Sequence, residues 1–181
     1  AKKKTRKKLN KKKSLISFVG APWTLLVYML GLKEEKNKIN TIILNNQKNN
    51  ISLIIKKLTN LLCLHIKHQI NAGADVVQIF DSWAGLIPGN KLRDYCFNPN
   101  LEIVDFCKKN NIPVICFPKG IKKKYLDFNE IVKPDGLNLD YEIDPLWARE
   151  NLKNVVLQGG MHPKLLLEPD GEMYSVAKRY L

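Results

Sequence analysis

The sequence lacks several features that would assign it to common classes of protein. No apolar run reaches the roughly 18 residues that a helix needs to cross a bilayer, and the first thirteen residues have no apolar centre of the kind a signal peptide needs. The cysteines stand in apolar surroundings without paired spacing; they are Cys63, Cys96, Cys107 and Cys116. These absences predict a cytoplasmic protein with buried thiols, without a membrane span, a secretory leader or a disulfide framework.

Acidic side chains are absent from residues 1–13, and this absence explains most of the positive charge. This segment carries nine of the 30 basic residues, so the rest of the chain has 21 basic and 17 acidic residues, a net charge of +4 against +13 for the whole. A basic tail can bind polyanions through counterion release. Because the body is only mildly basic and lysine is abundant throughout, we do not expect a nucleic-acid-binding protein.

From Ser14 onward the chain contains short apolar runs that alternate with helical patterns. Nearly continuous apolar runs are typical of parallel strands covered on both faces. The predicted strands are 14–20, 74–80, 112–117, 135–140 and 154–159. The predicted helices are 51–72, 100–109, 124–132, 145–152 and 172–180. The polar, asparagine-rich segment 33–50 is predicted to be a surface excursion.

The longest predicted helix has a readable apolar face and a stop signal. Residues at helical spacing form the predicted buried face; they are Ile51, Ile54, Ile55, Leu58, Leu61, Leu62 and His65. Gly73 follows the last turn, where a glycine commonly takes the left-handed conformation that ends a helix.

Five βα repeats indicate either a doubly wound sheet or a (β/α)8 barrel. No G-x-G-x-x-G fingerprint opens any of the predicted helices, which favours the barrel. Since a closed barrel takes eight strands and about 250 residues, we expect a piece of a longer protein. The sequence predicts a single α/β domain over 1–181, a partial TIM barrel of about five parallel βα units over 14–181, with 1–13 as a basic helix end. We expect its open inner face and strand edges to cause association when the chain is expressed alone.

The loops that follow the predicted strands are rich in glycine, proline and aromatic or polar residues. Their sequences are GAPWT, DSWAG, PKG, DYEIDP and GGMHP. In barrel enzymes the loops after the carboxyl ends of the strands form the active site. The turns at the opposite end are rich in lysine and asparagine, as is typical of solvated turns. The sequence therefore places a candidate site at the first set of loops.

Four of these segments carry a resemblance to a known family. FVGAPWTLLVYM, AGADVVQIFDSWAGLI, PVICFPKG and VVLQGGMHP, in this order and at these spacings, resemble the central part of the uroporphyrinogen decarboxylase family. The resemblance implies a homodimeric barrel without metal or organic cofactor, which converts the four acetate arms of uroporphyrinogen to methyls, giving coproporphyrinogen in haem biosynthesis. The protonated pyrrole would accept the electrons of the departing carboxylate, so the protein would supply orientation and charge stabilisation.

The resemblance also implies two substrate contacts. Tyr28 and Ser82 match the family's substrate-binding tyrosine and serine, and both can donate O–H hydrogen bonds to carboxylates. The GAPW turn would take the chain off its strand and deliver Tyr28 one helical turn later. Asp81 is predicted to cap a backbone group or to hold the shape of the loop. Lys119 is the best-placed cation on these loops, and it either attracts substrate carboxylates or is merely solvated.

The departures from the family pattern concern catalysis. The family's arginine-rich segment, its catalytic aspartate and its Gly-His-Gly loop have no counterparts here, so no catalytic residue is predicted and the chain alone is expected to be inactive. Arg93 and Arg149 lie within predicted helices and Arg179 at a helix end, so none of them replaces the missing segment. GGMHP differs from the commoner family form at Gly160 and His162, which leaves the role of His162 open.

Two clusters suggest other chemistry, and we interpret both as structural. In CLHIKH, His65 and His68 share a helix face but Cys63 points elsewhere, so no metal site is predicted. The acids of DYEID could act in general acid-base catalysis, but they would repel an octa-anionic substrate. Asp144 before Pro145 is more simply a helix cap followed by a first-turn proline.

Two other functions remain open from the sequence. Corrinoid-linked methyltransferases share this barrel and carry a His-x-Cys zinc site at a strand end, where this chain has Cys116 but Val114 two residues before it. A truncated, non-catalytic chain that binds polyanions is the second alternative, because the basic end is present while the catalytic segments are absent.

Overall fold

The computed structural model describes residues 2–35, 38–46, 48–167 and 170–178, and in these residues strands alternate with helices. The strands are β1 Ile16–Gly20, β2 Val76–Asp81, β3 Val114–Pro118, β4 Gly136–Leu139 and β5 Val156–Gly159. The helices are α1 Lys2–Lys8, α2 Pro22–Met29, α3 Thr41–Asn46, α4 Lys48–Asn71, α5 Asn98–Lys109, α6 Tyr125–Val132, α7 Pro145–Asn151 and α8 Asp170–Ala177. Each predicted strand is present within two residues of its predicted bounds.

The strands form one parallel sheet in the order β1-β2-β3-β4-β5. In the register, Gly20 lies opposite Phe80 and Phe80 lies opposite Phe117, so the strands end at the same edge. A doubly wound sheet reverses its strand order part-way across, whereas an unbroken order is the arrangement of a barrel wall. The predicted α/β partial barrel of five parallel βα units is therefore confirmed.

The two faces of the sheet differ in burial. On β1, Ser17 and Val19 are buried beneath the helices, while Ile16 is 48% exposed and Phe18 67% exposed on the opposite face. Alternate side chains of a strand point to opposite faces. Within the described chain, the inner face of the barrel wall is thus open, and the helical layer covers the outer face.

Helix α4 buries a narrower stripe than the sequence pattern predicted. Its buried apolar residues follow a drifting helical period; they are Ile51, Ile55, Leu58, Leu62 and Ile66. Leu61 is 58% exposed and His65 is exposed, so the prediction was wrong for these two residues. Each precedes a buried residue by one position, which is about 100° around the helix. Gly73, with φ of +93°, ends the helix as predicted.

The basic segment at the start of the chain forms a helix that is tied to the sheet. Arg6 of α1 pairs with Asp75 at 2.7 Å, and the Leu15 amide donates to the same carboxylate oxygen at 2.6 Å. A β-carbon on Gly73 would lie 2.8 Å from the Arg6 side chain, so the arginine stem packs on the turn before β2. One cation of this segment is therefore committed to an internal ion pair.

The asparagine-rich segment is more ordered than the sequence indicated. It contains α3 and an antiparallel bridge between Lys33 and Ile39, and Leu44 is buried against the core. The apolar residues of TIIL were too few to predict this helix from periodicity. None of the described helices is both long and apolar enough to cross a membrane.

Candidate functional site

The loops after β2, β3 and β4 meet at one edge of the sheet, which we call the carboxyl edge (residues 82–86, 119–121 and 140–144). A cavity of about 220 Å³ opens between them, and its lining includes Ser82, Trp83, Lys119, Tyr141 and Glu142. The structure thus brings together the predicted Ser82 and the candidate cation Lys119, which are 37 positions apart in sequence. The cavity offers a hydroxyl, an ammonium group, a carboxylate and two aromatic rings.

Two glycines allow the loops of the carboxyl edge to approach each other. The Gly85 amide donates to the Lys119 carbonyl at 2.9 Å, and a β-carbon on Gly85 would lie 2.7 Å from the Gly120 carbonyl oxygen. Gly120 itself has a φ of +82°, which other residues rarely adopt. The Lys119 amide also donates to the Asp81 carbonyl at 3.1 Å. Backbone contact between the two loops therefore sets the distance from Ser82 to Lys119.

Tyr28 lies beside this cavity rather than in its lining. Helix α2 begins directly after β1 with Pro22 at its first position, where the fixed φ of proline suits a helix start. Tyr28 is 63% exposed, and its ring meets Trp83 edge-on with the centroids 6.2 Å apart. The Lys33 ammonium lies 4.5 Å above the same Trp83 ring. The indole of Trp83 therefore joins the Tyr28 side of the site to the Ser82 side.

The side chain of Asp81 points into the helical layer, away from the cavity. It is buried, and its Oδ1 accepts a hydrogen bond from the Thr24 hydroxyl at 2.9 Å, while its Oδ2 accepts one from the Asn100 amide at 3.4 Å. Burial raises the pKa of Asp81 to about 6, and hydrogen bonds from Thr24, Cys96 and Asn100 oppose that rise. Asp81 thus links β2 with α2 and α5.

A row of phenylalanines on the inner face was not singled out from the sequence. Phe18 and Phe80 meet edge-on with centroids 6.0 Å apart, and Phe80 and Phe117 do so at 6.1 Å. These residues were interpreted only as strand residues. The signal that could have found them is strand parity, because Phe80 stands two positions before Ser82 and therefore on the same face. The row forms an apolar surface below the carboxyl edge.

Two acids of the loop after β4, Asp140 and Asp144, accept hydrogen bonds from backbone amides. Asp140 accepts hydrogen bonds from the amides of Gly120 at 2.9 Å and Glu142 at 3.1 Å. Asp144 Oδ1 accepts from the amides of Leu146 at 2.7 Å and Trp147 at 3.2 Å, which confirms the predicted helix cap. Asp140 and Asp144 therefore hold the backbone of the loop in place.

The histidines and cysteines show no metal chemistry in the described parts of the chain. His65 pairs with Gln69 at 2.8 Å, and the described residues contain no group of three or more His, Cys, Asp or Glu side chains that could hold a metal ion. His162 meets Tyr141 edge-on with the ring centroids 4.2 Å apart. Burial raises the pKa of the Cys116 thiol well above its usual value, whereas a thiolate ligand needs the opposite shift.

Two of the arginines that the sequence left without a role, Arg93 and Arg149, are not among the residues that line the cavity. Arg93 begins a single π-helical turn, Arg93–Phe97, that leads into α5, and Arg149 lies in α7. Arg179 lies outside the described residues. A larger cavity of about 1070 Å³ lies at the opposite edge of the sheet, among the turns before β4 and β5. There the Lys108 ammonium donates a hydrogen bond to the Lys133 carbonyl, so this polar group of the cavity lining stabilises the turn before β4.

Comparison with known proteins decides the family. A family model described as "Uroporphyrinogen decarboxylase (URO-D)" matches residues 1–181. The chain belongs to the uroporphyrinogen decarboxylase family. The resemblance predicted from the four sequence segments is therefore confirmed.

Curated relatives agree with this assignment. The chain is 40% identical over 171 residues to uroporphyrinogen decarboxylase of Orientia tsutsugamushi (strain Boryong), covering 93% of this chain and 50% of that protein. It is 39% identical over 183 residues to the Campylobacter jejuni (strain RM1221) protein of the same name, covering 96% and 52%. For the protein of Wolbachia sp. subsp. Brugia malayi (strain TRS) the identity is 34% over 180 residues, covering 98% and 51%. The chain spans about half the length of the curated relatives it matches.

Proposed function

We propose that this chain supplies the substrate-holding part of a cofactor-free carboxy-lyase that converts uroporphyrinogen to coproporphyrinogen in tetrapyrrole biosynthesis. The observation that carries the proposal is the carboxyl edge, where a family member brings hydroxyl donors, a lysine and an aromatic surface together. The proposal includes a single domain over 1–181 and a homodimeric, cytoplasmic protein. It includes no metal, cofactor, nucleic-acid or membrane partner.

The chemistry of the site suits a large macrocycle of apolar rings that carries several carboxylates. Phe18, Phe80 and Phe117 offer an apolar surface, and desolvating such a surface against a macrocycle is favourable. Tyr28 and Ser82 would hold carboxylate arms with O–H hydrogen bonds, which are strengthened when the acceptor is charged. Lys119 is the cation in the cavity lining. It would offset the negative charge of Glu142 there, which repels the carboxylates of the substrate.

The reaction needs protonation and orientation more than a nucleophile. A proton added to a pyrrole carbon creates a cation, the bond between the acetate carbon and its carboxyl group breaks, and carbon dioxide leaves while the electron pair enters the ring. Protonation of the former acetate carbon gives the methyl group, and loss of the ring proton restores the pyrrole. In this scheme Tyr28 and Ser82 hold carboxylates, and no catalytic residue is assigned to this chain.

The test is a pair of hydroxyl deletions in the protein as its gene encodes it. Tyr28→Phe and Ser82→Ala should each raise KM for uroporphyrinogen about tenfold or more, because a hydrogen bond to a charged group contributes about 1.5–3 kcal/mol. Coproporphyrinogen formation is followed by chromatography of the oxidised porphyrins.

Matched controls are available on other elements. Tyr174 is 64% exposed on α8, nearly the same as Tyr28, and Ser52 is exposed on α4. Tyr174→Phe and Ser52→Ala should leave KM unchanged. Equal kinetics for all four variants would remove the proposed substrate roles, and the absence of any coproporphyrinogen from the unmodified protein would remove the proposed function.

A further inference from the structure

Ser82 stands between two residues that bond to the same hydroxyl group. Asp81 accepts a hydrogen bond from Thr24 Oγ1 at 2.9 Å, and the amide of Trp83 donates to that oxygen at 3.4 Å. Since a hydroxyl has one proton to donate and lone pairs to accept, both bonds can form at once. The Trp83 carbonyl also accepts a bond from the Trp23 indole at 2.9 Å. The Ser82 loop is therefore attached on both sides to the first turn of α2.

The same hydroxyl is one helical turn from Tyr28. Helix α2 has only eight residues, and Thr24 and Tyr28 stand four positions apart, so both lie on the same side of the helix. Any rotation of the helix that breaks the Thr24 contacts also moves the Tyr28 ring. Asn100 holds the other oxygen of Asp81 from α5, so the carboxyl group is itself fixed. One buried contact thus connects both substrate hydroxyls to the sheet.

We infer that Asp81 and Thr24 are positioning residues that set the location of Ser82 relative to Tyr28. This inference rests on the proposed substrate roles of Tyr28 and Ser82. The arms of a macrocycle are attached at set positions around the ring, so donors that are already held at matching positions bind their carboxylates with a smaller ordering cost on the protein side. Thr24 and Asp81 are both buried, so their hydrogen bonds are shielded from competing water. Their contribution is to geometry, since neither side chain lines the cavity.

The test compares three threonine variants in the protein as its gene encodes it. Thr24→Val keeps the shape but removes the hydroxyl, so it should raise KM for uroporphyrinogen roughly tenfold, the effect of about one hydrogen bond, with kcat nearly unchanged. Thr24→Ser retains the hydroxyl and should restore most of the affinity. Thr59→Val is the control, because Thr59 is equally buried on α4 and its hydroxyl bonds only to the Ile55 carbonyl. All KM values are measured well below the unfolding temperature of each variant.

A double-mutant cycle separates positioning from a general loss of stability. In a background of Tyr28→Phe with Ser82→Ala, Thr24→Val should raise KM no further, because the groups it positions have been removed. If Thr24→Val fails to fold, Asp81→Asn replaces it; this variant keeps an acceptor for Thr24 but loses the one for Asn100, and a smaller rise in KM is expected.

The outcomes are distinguishable. The inference is overturned if Thr24→Val raises KM no more than Thr24→Ser or Thr59→Val does. It is also overturned if Thr24→Val raises KM by the same factor in the background of Tyr28→Phe with Ser82→Ala as it does in the unmodified protein. If Tyr28→Phe and Ser82→Ala raise KM while the Thr24 and Asp81 variants do not, the inference falls and the proposed function stands. If the hydroxyl deletions leave KM unchanged, both fall.

Discussion

The two edges of the sheet are built differently although the same strands form both. At the carboxyl edge, buried carboxylates fix the backbone, as Asp140 does for Gly120. At the amino edge, which comprises residues 110–113, 133–135 and 153–155, exposed side chains satisfy the turns: Lys108 donates to the Lys133 carbonyl, and Asp135 accepts from the Val114 amide at 2.9 Å. Lys133 and Asn154 there have φ of 52° and 59° without being glycine. Buried contacts hold a loop in one conformation, whereas exposed ones compete with water, so only the carboxyl edge suits a site of fixed geometry.

The largest expected effect concerns the close approach of the loops. Gly85→Ala places a β-carbon 2.7 Å from the Gly120 carbonyl oxygen, and backbone atoms must move to accommodate it. We expect a loss of about 1–3 kcal/mol in the free energy of unfolding, measured by urea denaturation. Gly89→Ala is the matched control, because a β-carbon there has no neighbour within 4 Å. Equal stability of the two variants would show that the loops are not held in contact.

The next effect concerns the buried acid of the carboxyl edge. Its pKa is raised from 3.8 to about 6, chiefly by burial, so the folded state disfavours the charged form. The stability contribution of Asp81 is therefore greatest below pH 3.8, falls as the pH rises to about 6, and is constant above that. Between pH 4 and 6 this change in pKa corresponds to a loss of about 2 kcal/mol in the free energy of unfolding. The nearby thiols of Cys96 and Cys116 stay neutral in this range, because burial raises their pKa values well above the usual one.

Asp81→Asn should remove this dependence of the free energy of unfolding on pH. Urea denaturation at pH 4, 5, 6 and 7 measures it, and the variant should lose less stability than the unmodified protein between pH 4 and 6. Asp105→Asn, at an exposed position on α5, should preserve the slope. A variant curve parallel to that of the unmodified protein would mean that another group causes the pH dependence.

The smallest expected effect concerns the amino edge. Lys133→Gly should increase the free energy of unfolding by up to about 1 kcal/mol, because a left-handed conformation costs a lysine more than a glycine. Lys109→Gly, at the end of helix α5, should instead lower it by a similar amount. Thermal unfolding of both variants shows whether each substitution raises or lowers the stability. A loss of stability for Lys133→Gly would indicate that its side chain contributes more than its backbone conformation costs.

The sheet was predictable from the sequence, and the connections between its loops were not. Continuous apolar runs and helical periods are local signals, and the rule that parallel strands end at one edge was enough to expect Ser82 near Lys119. The contact between Gly85 and Gly120 depends on the register that places Asp81 opposite Pro118, which no local pattern encodes. Strand parity gives the direction of the Asp81 side chain, opposite to that of Phe80 and Ser82, but its partners Thr24 and Asn100 come from two other helices and follow from no local pattern. Leu61 and His65 were misassigned because a helical period near 3.6 drifts over six turns.

The strand order has a consequence for how the protein is made. Among the residues that the structure describes, the strands pair in the order in which they occur in the chain. During synthesis on a ribosome, every strand that emerges therefore already has its neighbour available, and the sheet can grow one unit at a time in the direction of translation. The hydrogen bond between Thr24 and Asp81 can form as soon as β2 is added. The two hydroxyls of the proposed site would then be set in place before β3, β4 and β5 are added.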